Sequence, residues 1–216
     1  MKSIKYIYLI TLGSLGLSVN AAQIFPIVNQ MPISDNSVVI NLKNTAGTDA
    51  VLNVDVMKWD TTDDDGNPIT ALIPLTDEEK KKFIVTKPSR GIVGDKEYAT
   101  RISYLGERGD YQGAYRVLFK ITPKVNSITN VGVTFIPTHN VPLLIDPLVK
   151  NENIQITKVG KDVVVKNIGN VAFKSLIEKI DGKPTDGSKS SPVLLPNKSW
   201  TIKNTNSIEL GKNIYK

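Results

Sequence analysis

Apolar and polar residues alternate with a period of two along much of the chain. Leu52, Val54 and Val56 are interleaved with Asn53, Asp55 and Met57, and Tyr115, Val117, Phe119 and Ile121 with Arg116, Leu118 and Lys120. Successive side chains of a strand point to opposite faces, so these segments predict strands with one buried face. An earlier strand ends at the turn signal Asn41–Thr48, and Lys96–Leu105 and Ala114–Thr122 read as two further strands. Val131 to Ile145 is a long extended stretch broken by Pro137 and Pro142. Proline donates no ladder bond, so this strand is expected at a sheet edge or with a bend. Asp60 to Pro68 is a polar turn-rich loop. The charged run Asp77–Lys82 reads as a solvated loop, with a short helical turn as the alternative. No ten-residue segment carries a convincing helical period.

Strands recurring at short intervals between Gly, Asn, Asp and Pro predict an all-β protein built as β-sandwiches. Residues 22–146 supply about seven strands, enough for one Ig-like domain. Pro147–Lys150 reads as a hinge. Beyond it, Ile154–Ile156, Val163–Val165, Ala172–Ile177, Val193–Leu195 and Trp200–Ile202 are short strand candidates. Asn167–Asn170 and Asp181–Pro184 are turn signals, so residues 147–216 predict a second, smaller β-sandwich.

The first 21 residues change the picture. Lys2 and Lys5 precede an apolar run from Ile7 to Leu17 that contains Gly13 and Gly16. Val19 and Ala21 then fit a small-residue cleavage site. Residues 1–21 are therefore read as a secretory signal peptide, and the mature protein is expected outside the cytoplasm. The formal charge of +6 falls to +4 without the two lysines, and the remaining lysines are dispersed, which leaves no nucleic-acid footprint.

Cysteine is absent and His139 is the single histidine. This excludes thiol catalysis, thiolate zinc sites and His-rich metal sites, and leaves one imidazole for any Ser-His-Asp arrangement. Asp63-Asp64-Asp65-Gly66 has the look of a calcium loop, but the spacing puts Thr61 at the first ligand position and Leu72 at the closing one. A solvated hairpin loop is the expectation. No Gly-rich phosphate loop, GxSxG elbow or HExxH motif occurs, and no enzyme, cofactor or metal is expected.

Val131, Val133 and Phe135 alternate near the end of the first domain. Period two looks the same whether such residues fill their own core or pair with an incoming strand, so both readings stay open at this level. Here the chain resembles the PapD-like periplasmic pilus chaperones, the archaic or alternative branch more than the P-pilus branch. The resemblance rests on an ordered set of segments. These are AQIFPIVNQMPISDNSVVINLKNTAGTDAVLNVDVMKW, FIVTKPSRGIVGDKEYATRISY, YQGAYRVLFKITP, an extended strand ending in NVPLLIDP, and VVVKNIGNVAFKSL. It implies two Ig-like domains in a boomerang and donor-strand complementation of pilus subunits that lack their last strand. Delivery to an outer-membrane usher in the periplasm is implied as well, with no small-molecule substrate. Val131, Val133 and Phe135, with Pro137 next, would be the donated side chains. An exposed apolar edge of this kind leaves self-association of the free protein open.

The family anchors the subunit's C-terminal carboxylate on basic residues in the cleft between domains. In the P-pilus branch these are an arginine in the opening strand and a lysine in the last strand. This sequence departs from that pattern: residues 22–39 hold no basic residue, and Asn140–Pro142, at the last-strand position, carry no charge. Arg116, in the interior of the strand beside the donor strand, is the first candidate anchor, because a guanidinium binds a carboxylate bidentately. Arg101 is the second, with a structural ion pair as its alternative role, and Lys87 and Arg90 follow. The rival to a chaperone is a pilus subunit or a secreted Ig-like adhesin.

Overall fold

The structure, a computed structural model, describes residues 23–25, 29–45, 49–88, 91–94, 96–124, 138–174, 177–185, 193–210 and 213–215. The first half contains β1 (Gln23–Phe25), β2 (Asn29–Met31), β3 (Ser37–Lys43), β4 (Ala50–Thr62), β5 (Pro68–Pro74), α1 (Asp77–Lys80), β6 (Phe83–Thr86), β7 (Glu97–Tyr104), β8 (Gly113–Pro123) and β9 (Thr138–Ile145). The second contains β10 (Ile154–Val159), β11 (Asp162–Asn167), β12 (Ile177–Ile180), β13 (Lys183–Pro184), β14 (Ser199–Ile202), β15 (Ile208–Leu210) and β16 (Asn213–Tyr215).

Two sheets, in the orders β1-β3-β7-β6 and β2-β9-β8-β4-β5, form the first sandwich. Between them lies a core that includes Met31, Ile40, Leu42, Leu52, Ile102, Val117, Phe119, Ile121, Val141 and Leu143. Burying each large side chain of this kind stabilises the fold by about 1.5–3 kcal/mol. The second sandwich pairs β10-β11-β14 with β13-β12-β15-β16 around Val163, Val165, Ile177, Leu194, Trp200, Ile202 and Ile208. The protein is thus all-β, with two Ig-like sandwiches.

Local chemistry explains where the elements turn. Asp77–Lys80 does form a helical turn. The Thr76 side chain accepts from the Glu79 amide, and the Glu79 carboxylate accepts from the Thr76 amide. Asp181 and Gly182, at φ 50° and 73°, make the two-residue turn that joins β12 to β13, where both central residues need positive φ. The acidic Asp63–Gly66 turn is tied by Asp63, which accepts from the amides of Asp65 and Asn67 and from the Asn67 side chain. The loop is not merely solvated. Gly66, at φ 78°, accepts from the Thr201 amide of β14 at 2.9 Å, and a side chain at Gly66 would meet Thr201 Oγ1 at 2.7 Å. Next to it Lys198 pairs with Asp60 at 2.6 Å.

A second junction between the sandwiches is built on Asp146, whose side chain is wholly buried. Its carboxylate accepts from Gln30 at 2.9 and 3.0 Å, from Gln112 at 2.7 Å and from Lys150 at 2.6 Å. Gln112 in turn accepts from the Ala172 amide and donates its own amide to the Asn170 carbonyl, both at 2.8 Å. Asn170 completes the link by donating to the carbonyls of Asp110 and Val149 and accepting from the Asn151 amide. Arg108 closes the ends of the parallel strands β2 and β9, donating to the carbonyls of Met31, Asp146, Pro32 and Asp35.

Burial pushes the Asp146 carboxyl up, but Lys150, Gln30 and Gln112 outweigh it and hold the group below its usual range. A lowered folded value means that the stabilisation is complete above the unfolded value, about pH 4, and is lost as pH falls through the folded one. Urea denaturation should find Asp146→Ala about 3 kcal/mol less stable than the parent protein at neutral pH. That difference should shrink as the solution is acidified; a gap independent of pH would remove the ionised carboxylate from the account.

Candidate functional site

The register of the five-stranded sheet decides which side chains share a face. Val54, Val56 and Lys58 of β4 lie opposite Phe119, Val117 and Tyr115 of β8, and this face looks into the core. The other face carries Arg116, opposite Met57 of β4 on one side and Pro142 of β9 on the other. Trp59 is two residues beyond Met57 on β4. The Arg116 guanidinium lies over the Trp59 ring, 4.0 Å from its centroid, and Trp59 is 7% exposed. Such cation–π contact fixes a long side chain without neutralising it.

Arg116 has little else to bind. Its Nη1 reaches the Asn140 carbonyl at 3.5 Å, a long contact, and no acidic side chain among the described residues is within ion-pair distance. Its Nε, and the Nε1 of Trp59, are buried without an acceptor. Burial lowers the Arg116 pKa from its ordinary value, yet a guanidinium remains protonated in proteins. The result is a held, half-buried cation whose donors exceed its acceptors, which is the electrostatic complement of a carboxylate.

Arg101 is not part of this arrangement. It is exposed on β7, opposite Val39 and Thr86 in the other sheet, while its neighbours Thr100 and Ile102 point to the core. The two arginines therefore stand on opposite outer faces of the sandwich. Lys87 donates to the Leu52 carbonyl at 3.0 Å. Arg90 lies outside the described residues, as do Val131, Val133, Phe135 and Pro137. His139 shares the core-facing side of β9 with Val141 and Leu143; burial lowers its pKa, so it is neutral at neutral pH.

Among the described residues, β9 is covered along only part of one edge. It pairs with β8 from Thr138 to Ile145, but β2 covers only Leu143 to Ile145. From Thr138 to Pro142 it has a single neighbour among the described residues, and Pro142 falls within this one-sided section, where a missing amide is tolerated. The edge begins where the unpaired donors of Arg116 lie.

A cavity of about 350 Å³ opens beside this site, bounded by Trp59, Ala114 and Tyr111 of the first sandwich and by Leu195–Lys198 of the second. No local pattern marks Trp59 as the platform under Arg116, because the two are 57 residues apart and meet only through the β4–β8 register.

No protein-family model matches the chain, and no curated protein does. Solved structures do match over nearly the whole length. The class 5 fimbriae chaperone CfaA is 16% identical with a TM-score of 0.61, covering 89% of this chain and 93% of its own. A chain of the Salmonella enterica SafA pilin–SafB chaperone complex is 15% identical with a TM-score of 0.63, covering 88% of each. A chain of the CsuC–CsuE chaperone–tip adhesion subunit pre-assembly complex is also 15% identical, with a TM-score of 0.60. It covers 88% of this chain and 92% of its own, and comes from the archaic chaperone-usher Csu pili of Acinetobacter baumannii. The shared property is the two-sandwich fold.

Removing the guanidinium in Arg116→Ala uncovers one face of the Trp59 indole. Acrylamide quenching of the tryptophan fluorescence should rise, since the second tryptophan, Trp200, stays in the other core. Unchanged quenching would show that Arg116 does not cover the ring in solution.

Proposed function

We propose that this protein is a periplasmic chaperone of pilus subunits. It lends the subunit a strand by donor-strand complementation, holds the subunit's C-terminal carboxylate on Arg116, and hands it to an outer-membrane usher. The observation that carries this reading is the Thr138–Pro142 stretch of β9, which among the described residues pairs on one side only and ends beside the unsatisfied donors of Arg116. The fold shared with SafB, CfaA and CsuC supports it. An incomplete sandwich exposes an apolar groove flanked by two strand edges and aggregates unless both are covered. A strand offered edge-on supplies the main-chain bonds, and its alternate side chains fill the groove.

In sequence, Val131, Val133, Phe135 and Pro137 share the odd-numbered parity of His139, Val141 and Leu143, which face the core side of β9. In this reading they are the donated side chains, and Phe135 contributes the largest apolar surface. The carboxylate then fixes the register of the donated strand: a terminus docked at Arg116 leaves one alignment between the two chains. Arg101, on the far face, plays no part in capture. The protein acts by binding and not by catalysis.

Two measurements test this. In co-expression with the products of neighbouring genes, Arg116→Ala should lower the yield of co-purified subunit at least about tenfold, since an unpaired buried carboxylate costs several kcal/mol. Arg101→Ala should leave the yield unchanged; the reverse ranking overturns the assignment of the anchor. Phe135→Asp should weaken the complex by placing a charge in an apolar groove, and undiminished yield would take Phe135 out of the donated set. A pilus subunit, the alternative reading, would polymerise or aggregate in size-exclusion chromatography without a partner. A stable monomer or simple dimer is expected instead.

A further inference from the structure

The cavity between the sandwiches has walls that are largely aromatic and aliphatic: Trp59, Ile73, Tyr111, Ala114, Leu195 and Pro196. Its volume of about 350 Å³ falls at the small end of ligand pockets. The charged groups that border it are already committed. Lys58 pairs with Glu79 at 2.5 Å and Lys198 with Asp60 at 2.6 Å. The Gln112 side chain is engaged by Asp146 and Ala172. An occupant therefore meets no free charge, and a charged side chain entering the cavity would be desolvated without compensation. At its mouth Ile73 and Tyr111 are 46% and 55% exposed, apolar surface that an occupant would cover.

Its position relative to Arg116 supplies the second argument. Trp59 is a wall of the cavity and also the platform of the guanidinium. Ala114, another wall, precedes Arg116 by two residues on the same strand, so the two positions are about 7 Å apart on one face. That is the reach of one amino-acid residue from its carboxylate to the end of a long side chain.

We infer that the cavity receives the side chain of the last residue of the bound polypeptide and selects an aromatic or large aliphatic one. This rests on Arg116 holding the terminal carboxylate. The carboxylate supplies the common grip, and the cavity discriminates between polypeptides that all carry one. The recognised feature is an uncharged, bulky C-terminal residue with a free carboxylate.

The test uses the full chain and synthetic twelve-residue Gly/Ser peptides that differ only at the last position: Phe with a free carboxylate, Phe amide, and Gly with a free carboxylate. Binding is followed by the indole N–H resonance of Trp59 in ¹⁵N–¹H correlation spectra, which hold two such signals. The Phe peptide should bind about tenfold or more tighter than the Gly peptide, the expected return from burying one aromatic side chain. Ala114→Phe, which fills the cavity, should remove that preference while the carboxylate still outbinds the amide. Ile73→Ala, a milder change at the mouth, should reduce the preference without altering the fold. Equal binding of the Phe and Gly peptides, or no binding of either, overturns the inference, as does a preference that survives in Ala114→Phe. Equal binding of the Phe carboxylate and the Phe amide overturns the role of Arg116 instead, so the two readings fail separately.

Discussion

The arrangement depends on one buried carboxylate. Asp146 lies where β9 ends and the chain passes to the second sandwich, and it is bonded to β2 through Gln30, to the start of β8 through Gln112, and to the linker through Lys150. A buried charge is tolerated only when its lone pairs are used, and here three side chains use them. Because Gln112 binds Asp146 through its amide nitrogen and Ala172 through its oxygen, the same bonds that satisfy the charge orient the second sandwich. The end of β9 is thereby held, along with the strand edge that leads away from it.

Arg116 follows the opposite rule. Asp146 is saturated, while Arg116 is positioned by stacking and left short of acceptors. Stacking on Trp59 orders the guanidinium through its π-face, so its in-plane donors are not consumed in holding it. Residues 22–39 and Asn140–Pro142 hold no basic residue, and the Arg116 guanidinium lies on an aromatic platform.

The fold was legible because it rests on period-two patterning, which residues 50–58 and 115–121 carry cleanly. Sequence placed the Pro142 strand at an edge or a bend; in the sheet β9 lies between β2 and β8, and among the described residues Pro142 falls just outside the part that β2 pairs. Sequence was less informative where the determining contact is distant. The Asp77–Lys80 turn depends on a Thr76–Glu79 capping box easily read as plain charge. β15 and β16, three residues each, are too short for a period to register. The docking of the Asp63–Gly66 turn on Thr201 joins residues 135 positions apart. A strand-interior arginine such as Arg116 needs a partner and so stands out in the sequence, whereas Trp59 carries no comparable signal. Gln112 and Arg108 bind mainly backbone carbonyls and amides of remote segments, which no local motif encodes.

The Gly66–Thr201 contact has a mechanical consequence. A body fixed to another at one point can still turn about three axes; fixed at two, it can turn only about the line joining them. The sandwiches meet at the hairpin tip, through Gly66 and Asp60, and again at Gln112 and Asn170. Tied at two separated places, they resist relative rotation more than either contact would alone, and the β4–β5 hairpin supplies the second of these ties.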